Sequence, residues 1–175
     1  MTNVLRMTLA ASVAALTFAA TPAYAVPVGA ATPATATAKI VKPLTLTAAG
    51  TLDFATILIP ASGVTATRTI KIVPGSPLDC AGGSTEVACS GTTSYPTYTV
   101  VGTNKMVVSI IKTASLLNGN NGGTLAFRPT GPASVTMPNS GNTGVPFDIG
   151  GEIDIVPATV DGTYSGNINV TVDYQ

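Results

Sequence analysis

The sequence predicts an all-β fold, a sandwich or barrel of many short antiparallel strands. After residue 25 the chain is rich in threonine, valine and glycine, and turn residues recur about every eight to twelve positions. No segment sustains a helical period. The one stretch of helix length, 106–117, is centred on Val107-Val108-Ser109-Ile110-Ile111, and a β-branched run favours strand. The third observation is period-two alternation, cleanest in the last eight residues.

Of the 175 residues, 1–25 read as an export signal. Arg6 supplies a thin positive region, an apolar run follows from Met7 to Ala20, and Ala23-Tyr24-Ala25 precedes Val26 as an A-x-A cleavage site between Ala25 and Val26. The run is too short to span roughly 30 Å of hydrocarbon. Export, with no stable membrane insertion, is the expectation. The remainder suits a single domain with a hydrophobic core.

Composition excludes several function classes. Charged residues are 9% of the chain and hydrophobic ones 45%, which argues against disorder. There is no histidine, which removes the commonest general base and metal ligand. Arg6 lies in the presequence, leaving seven basic against eight acidic residues, so no basic surface for nucleic acid is expected.

The arm 26–33 is small and broken by prolines. Residues 34–40 alternate strictly, placing Ala34, Ala36, Ala38 and Ile40 on one face of an expected strand that opens the domain 34–175. Leu44-Thr45-Leu46-Thr47 resumes the alternation after Pro43, which suits an edge strand or a switch between sheets. Strands are expected at 52–59 and 64–73. The latter puts Val64, Ala66, Arg68, Ile70 and Ile72 on one side, with Arg68 at a strand end or rim.

Residues 74–94 form a loop carrying the chain's two cysteines, Cys80 and Cys89. In an exported chain the pair is expected to form a disulfide; no C-x-x-C spacing or histidine supports a redox or metal site. Strands at 95–101 and 105–112 are joined through Gly102-Thr103-Asn104, and Asn118–Gly123 is a strong turn. Short strands are expected at 125–127, 134–137 and 147–149, the last running into Gly150-Gly151-Glu152-Ile153-Asp154-Ile155-Val156. In the terminal stretch Ile168, Val170, Val172 and Tyr174 alternate with Asn167, Asn169, Thr171 and Asp173, which means one face buried and one wet.

Catalytic chemistry finds little support. Glu152 and Asp154, near Asp148, form a carboxylate pair of the kind used for calcium or glycoside hydrolysis. Their spacing opposite Ile153 and Ile155 instead reads as the solvated side of a strand. Ser165, between Gly162 and Gly166, lies outside any G-x-S-x-G motif. Asn169-Val170-Thr171 is a formal glycosylation sequon inside an expected strand. Neither enzyme activity nor a cofactor or metal is expected.

Two resemblances attach to these residues. The run Gly150–Ile155, with Gly162-Thr163-Tyr164-Ser165-Gly166 leading into Val170-Thr171-Val172-Asp173-Tyr174, resembles domain of unknown function 4402 of secreted proteobacterial proteins. Ala36, Lys39, Ile40, Pro43 and Leu44, and then Leu52-Asp53-Phe54, extend that likeness over most of the mature chain. The terminus also resembles subunits of chaperone–usher pili, with Tyr174 as the penultimate tyrosine and Gly162 as the glycine before the last strand.

The second likeness implies an immunoglobulin-like β-sandwich lacking a strand, completed by a donor strand from a periplasmic chaperone and then from the next subunit at an outer-membrane usher. It implies assembly roles for Gly162, Tyr164, Ile168, Val170, Val172, Tyr174 and Gln175. The donor positions would be Ala34, Ala36, Ala38 and Ile40, where large aliphatic residues are the usual choice. The expected function is thus a non-catalytic fimbrial subunit at the cell surface, self-associating or joined to related subunits. The alternative is a self-contained periplasmic or matrix-binding domain.

Overall fold

The computed structural model describes residues 27–29, 32, 34–138 and 143–175. The expected signal segment and the expected Ala25–Val26 cleavage site lie outside the described residues. The chain divides into two units, Met1–Ala38 and Lys39–Gln175. The described residues of the first hold no strand or helix, and all the structure below belongs to the second.

The fold is an all-β antiparallel sandwich, as expected. The strands are β1 (Thr45–Ala49), β2 (Thr56–Leu58), β3 (Arg68–Ile72), β4 (Asp79–Cys80), β5 (Ala88–Ser90), β6 (Thr97–Val101) and β7 (Val107–Thr113). They continue with β8 (Ser115–Gly119), β9 (Thr124–Thr130), β10 (Ser134–Thr136), β11 (Val145–Asp148), β12 (Gly150–Ile155), β13 (Tyr164–Ser165) and β14 (Asn169–Tyr174). One sheet has the order β13-β8-β9-β12-β3-β4. Two three-stranded sheets run β1-β6-β11 and β10-β7-β14, and β2 pairs with β5.

The sheets are joined by strands that bend from one into the next. β7 and β8 are one run interrupted at Ala114; its first half pairs with β14 and its second with β13. The register steps by one residue between the halves, a bulge that redirects the ladder. β11 and β12 likewise change sheets at Ile149, which is fully buried with its N–H on Pro96 O. Such bends make the corners of a sandwich.

Gly150-Gly151 permits this crossing. A Cβ on Gly150 would lie 2.1 Å from the Ile72 carbonyl oxygen, and one on Gly151 would lie 2.4 Å from the Phe127 ring. Any side chain would push β12 off β3 and β9.

Two clusters form the core. Ile70, Leu125, Phe127, Ile153 and Ile155 of the six-stranded sheet pack with Val64 and Val87 beneath the 52–59 segment. Tyr98, Val100 and Phe147 pack against Val108 and Ile110 with Met137 and Ile149. Tyr98 and Phe147 are cross-strand partners with stacked rings 5.7 Å apart. Ile168 packs against both clusters and makes the core continuous.

Several expected elements differ. Residues 34–40 form no strand and bury no side chain, because Ala34, Ala36 and Ala38 offer only methyl groups and too little apolar area to hold an edge. The expected strand 52–59 shrinks to β2. Ala55 sits at φ 58° with its N–H on Asp53 Oδ1 (2.8 Å), a local turn that breaks the run. The cysteine loop is more ordered than expected and carries β4 and β5.

Cys80 and Cys89 form the expected disulfide. It ties β4, an edge of the six-stranded sheet, to β5, whose partner is β2. A Cys80→Ser/Cys89→Ser protein is expected to lose about 2–3 kcal/mol of stability by the loop-entropy estimate. Denaturant titration checks this, and an unchanged midpoint would contradict it.

Candidate functional site

The terminal strand has the two-faced character its alternation predicts. Ile168, Val170, Val172 and Tyr174 turn inward and Asn169, Thr171 and Asp173 outward. None of the four inward residues is fully buried, whereas Val108 and Ile110 on the neighbouring β7 are. The difference follows from sheet order, since β14 pairs with β7 alone and stands at an edge. Gln175 N–H bonds Val107 O, which fixes the hydrogen-bonding parity of the ladder. The peptide groups of Val170 and Val172 therefore point away from β7. β13 is likewise an edge, and so is β1 on the facing side.

Beside β13 and the start of β14, and reaching β1 only at Ala48, lies an open groove of roughly 970 Å³. One wall is 159–169, which includes Gly162, Tyr164, Ser165 and Ile168; the other is Gly50–Ile57 with Ile59. Leu125, Phe127, Ile153 and Ile155 lie at its base. Half-buried Leu52, Phe54, Ile57, Leu117, Tyr164 and Ile168 give the walls their apolar surface. Asp53 and Asp161 also line it, and no lysine or arginine does among the described residues.

Beyond Ile168 the two sides come together at Tyr174. Its hydroxyl donates to Lys42 O (2.7 Å) and accepts from Thr103 N–H (2.7 Å), while Lys42 N–H donates to Thr103 Oγ1 (2.6 Å). Leu44 and Leu46 pack in the same cluster as Val170, Val172 and Tyr174. The groove is thus clasped at the Tyr174 end and open along 162–169.

The sequence-predicted residues divide accordingly. Gly162, Tyr164 and Ile168 line the groove; Val170, Val172 and Tyr174 continue the same edge; Gln175 extends the β7 ladder. Tyr164 is anchored by its hydroxyl donating to Val160 O (2.6 Å). Gly162 has φ 151°, and a Cβ there would lie 2.5 Å from Asn120 Oδ1. That oxygen accepts the Thr163 N–H (2.9 Å), so the missing side chain makes room for the 120–121 turn against this wall. The sequence did not indicate the opposite wall at 50–57, or the Lys42–Thr103 clasp, because both depend on contacts remote in the chain.

The carboxylates of β12 lie on the opposite side of the six-stranded sheet from the core, as expected, but they are tied up in ion pairs. Glu152 bonds Lys71 (2.7 Å) and approaches Arg128 (3.5 Å); Asp154 takes Arg128 in two contacts and accepts from Thr69 Oγ1 (2.8 Å). These cross-strand pairs match the β3–β12–β9 register. Arg68, at the start of β3, pairs with Glu86. Among the described residues no group of three or more His, Cys, Asp or Glu side chains could hold a metal.

Hydrogen bonding from Lys71 holds the Glu152 carboxyl below its ordinary range, Arg128 does the same for Asp154, and Thr65 and Arg68 for Glu86. A carboxyl more acidic folded than unfolded stabilises the fold above its unfolded value, and that stability is lost as pH falls through the folded one. The melting temperature is therefore expected to fall on acidification below about pH 5. Arg128→Gln should weaken that dependence. A melting temperature flat through the acid range would contradict the ion-pair assignment.

Among the described residues no helix is long and apolar enough to cross a membrane. No curated protein and no solved structure matches the chain. A family model described as a domain of unknown function (DUF4402) matches residues 44–174, from the lead-in of β1 to the clasping tyrosine. The match takes in both walls of the groove, the Gly150-Gly151 crossing and the terminal strand. The chain belongs to the DUF4402 family.

Proposed function

We propose that this chain is a non-catalytic, exported structural subunit of a surface fimbria, assembled by β-strand complementation of an incomplete immunoglobulin-like sandwich. The observation that carries the reading is the apolar groove beside the unpaired edges of β13 and the first residue of β14, with the end of β1 in its lining at Ala48. A strand added there would pair with this edge and cover the half-buried wall residues in one step. In this reading a periplasmic chaperone and an outer-membrane usher handle the subunit in transit. Related subunits are its neighbours in the fibre.

A second reading, a self-contained periplasmic or matrix-binding domain, is favoured by the Tyr174 clasp and by the continuity of the two core clusters through Ile168. Expression of residues 26–175 alone in an oxidising compartment separates the two. Aggregation, suppressed by a co-expressed chaperone, supports the fimbrial subunit. A monomer that unfolds cooperatively and ignores added strands supports the closed domain.

A further inference from the structure

Resting on the strand-addition reading, we infer that the groove takes a strand from a different protein and that this chain is a heterotypic acceptor, not a subunit that polymerises with copies of itself. The occupant is an extended segment with large aliphatic or aromatic side chains at three successive alternate positions and a lysine or arginine on its wet side.

The size of the groove argues this first. It is roughly 970 Å³, and partly exposed Leu52, Phe54, Ile57, Tyr164 and Ile168 line it. A methyl group cannot span that gap, and each unfilled space forfeits contacts on both walls. The residues preceding β1 offer Ala34, Ala36 and Ala38 at alternate positions. Further back, Val26 and Val28 flank Pro27, and Pro33 follows; a proline has no N–H to give to a strand edge.

Ile40 is the one large residue in that alternation, and in its own chain it is held out of reach. Lys42, two residues on, is fixed at both its N–H and C=O to Thr103 and Tyr174. Ile40 is 88% exposed. The groove lining on the terminal strand ends at Asn169, roughly 17 Å along the strand from Tyr174. A second copy of the chain brings the same three alanines and fares no better.

Charge agrees. Asp53 and Asp161 line the groove with no cationic neighbour in its lining among the described residues, whereas residues 26–38 carry no charged side chain. A strand with a cationic wet face complements the site in a way that this segment does not.

The test titrates residues 26–175 with fluorescent peptides. One copies residues 26–41; a second is that peptide with Ala34→Leu, Ala36→Ile, Ala38→Leu and Thr37→Lys; a third holds the second's residues in scrambled, non-alternating order. The second peptide is expected to bind at least about a hundredfold tighter than the first, from three enlarged apolar side chains, and the third not to bind. Equal affinity for the first and second would overturn the inference while leaving strand addition intact. Equal affinity for the second and third would show that alternation is not read, and that also overturns it. Binding by none of the three would remove strand addition itself, and the inference with it.

Discussion

Phe127→Ala is expected to lower the free energy of unfolding by about 3–5 kcal/mol, the range for truncating a fully buried phenylalanine. Phe127 is 1% exposed at the base of the groove. Its ring meets Phe54 edge-on at 6.5 Å and occupies the space that Gly151 leaves open. Gly151 on the facing strand β12 has no side chain to fill the vacancy. Phe127→Leu keeps most of the volume and should cost distinctly less. Urea titration of the two variants decides the matter; a Phe127→Ala loss below about 1 kcal/mol would mean that the core is not organised around this ring.

Tyr174 is expected to show the second large effect, in two separable parts. Tyr174→Phe keeps the ring but leaves Thr103 N–H and Lys42 C=O without their shared partner, at about 1–2 kcal/mol. Tyr174→Ala also removes ring contacts to the cluster containing Leu44 and Leu46, for a total of about 2–4 kcal/mol. The clasp should loosen in Tyr174→Phe, which keeps the Lys42 N–H bond to Thr103 Oγ1, and open in Tyr174→Ala. In the fimbrial reading Tyr174→Ala also abolishes surface polymer, and normal polymer would count strongly against that reading. Equal stability losses in the two variants would place the whole effect in the hydroxyl.

What the sequence made legible was local. The alternation from Ile168 to Tyr174 appears in the structure residue for residue, because a period of two assigns faces without knowledge of the partner strand. The β-branched run at Val107–Ile111 is a strand and the Asn118–Gly123 turn joins β8 to β9, since both signals lie within a few residues. The same rule failed at 34–40, where the alternation is real but three of its four apolar members are alanines and the fourth, Ile40, stays exposed. It failed again at 52–59, where Asp53 captures the Ala55 amide and turns the chain.

The groove itself was half legible. Its 162–169 wall stood out through Gly162 and Tyr164. The 50–57 wall is assembled by pairing with β5 and the Asp53–Ser94 bridge, which no local pattern encodes. Glu152 and Asp154 read correctly as a face opposite the core, but their partners Lys71 and Arg128 come from strands far away in sequence. Gly150-Gly151 was visible as a motif, and only the approach of Ile72 and Phe127 explains it.

Strand addition is tested most directly by amide hydrogen exchange on residues 26–175, with and without a peptide of alternating large aliphatic residues. The prediction is new protection at outward-facing amides along 162–169, with a matching gain at the Ala48 end of β1 and unchanged exchange on the already paired β7. Exchange along both edges that is the same with and without saturating peptide would contradict the claim that this groove receives a strand.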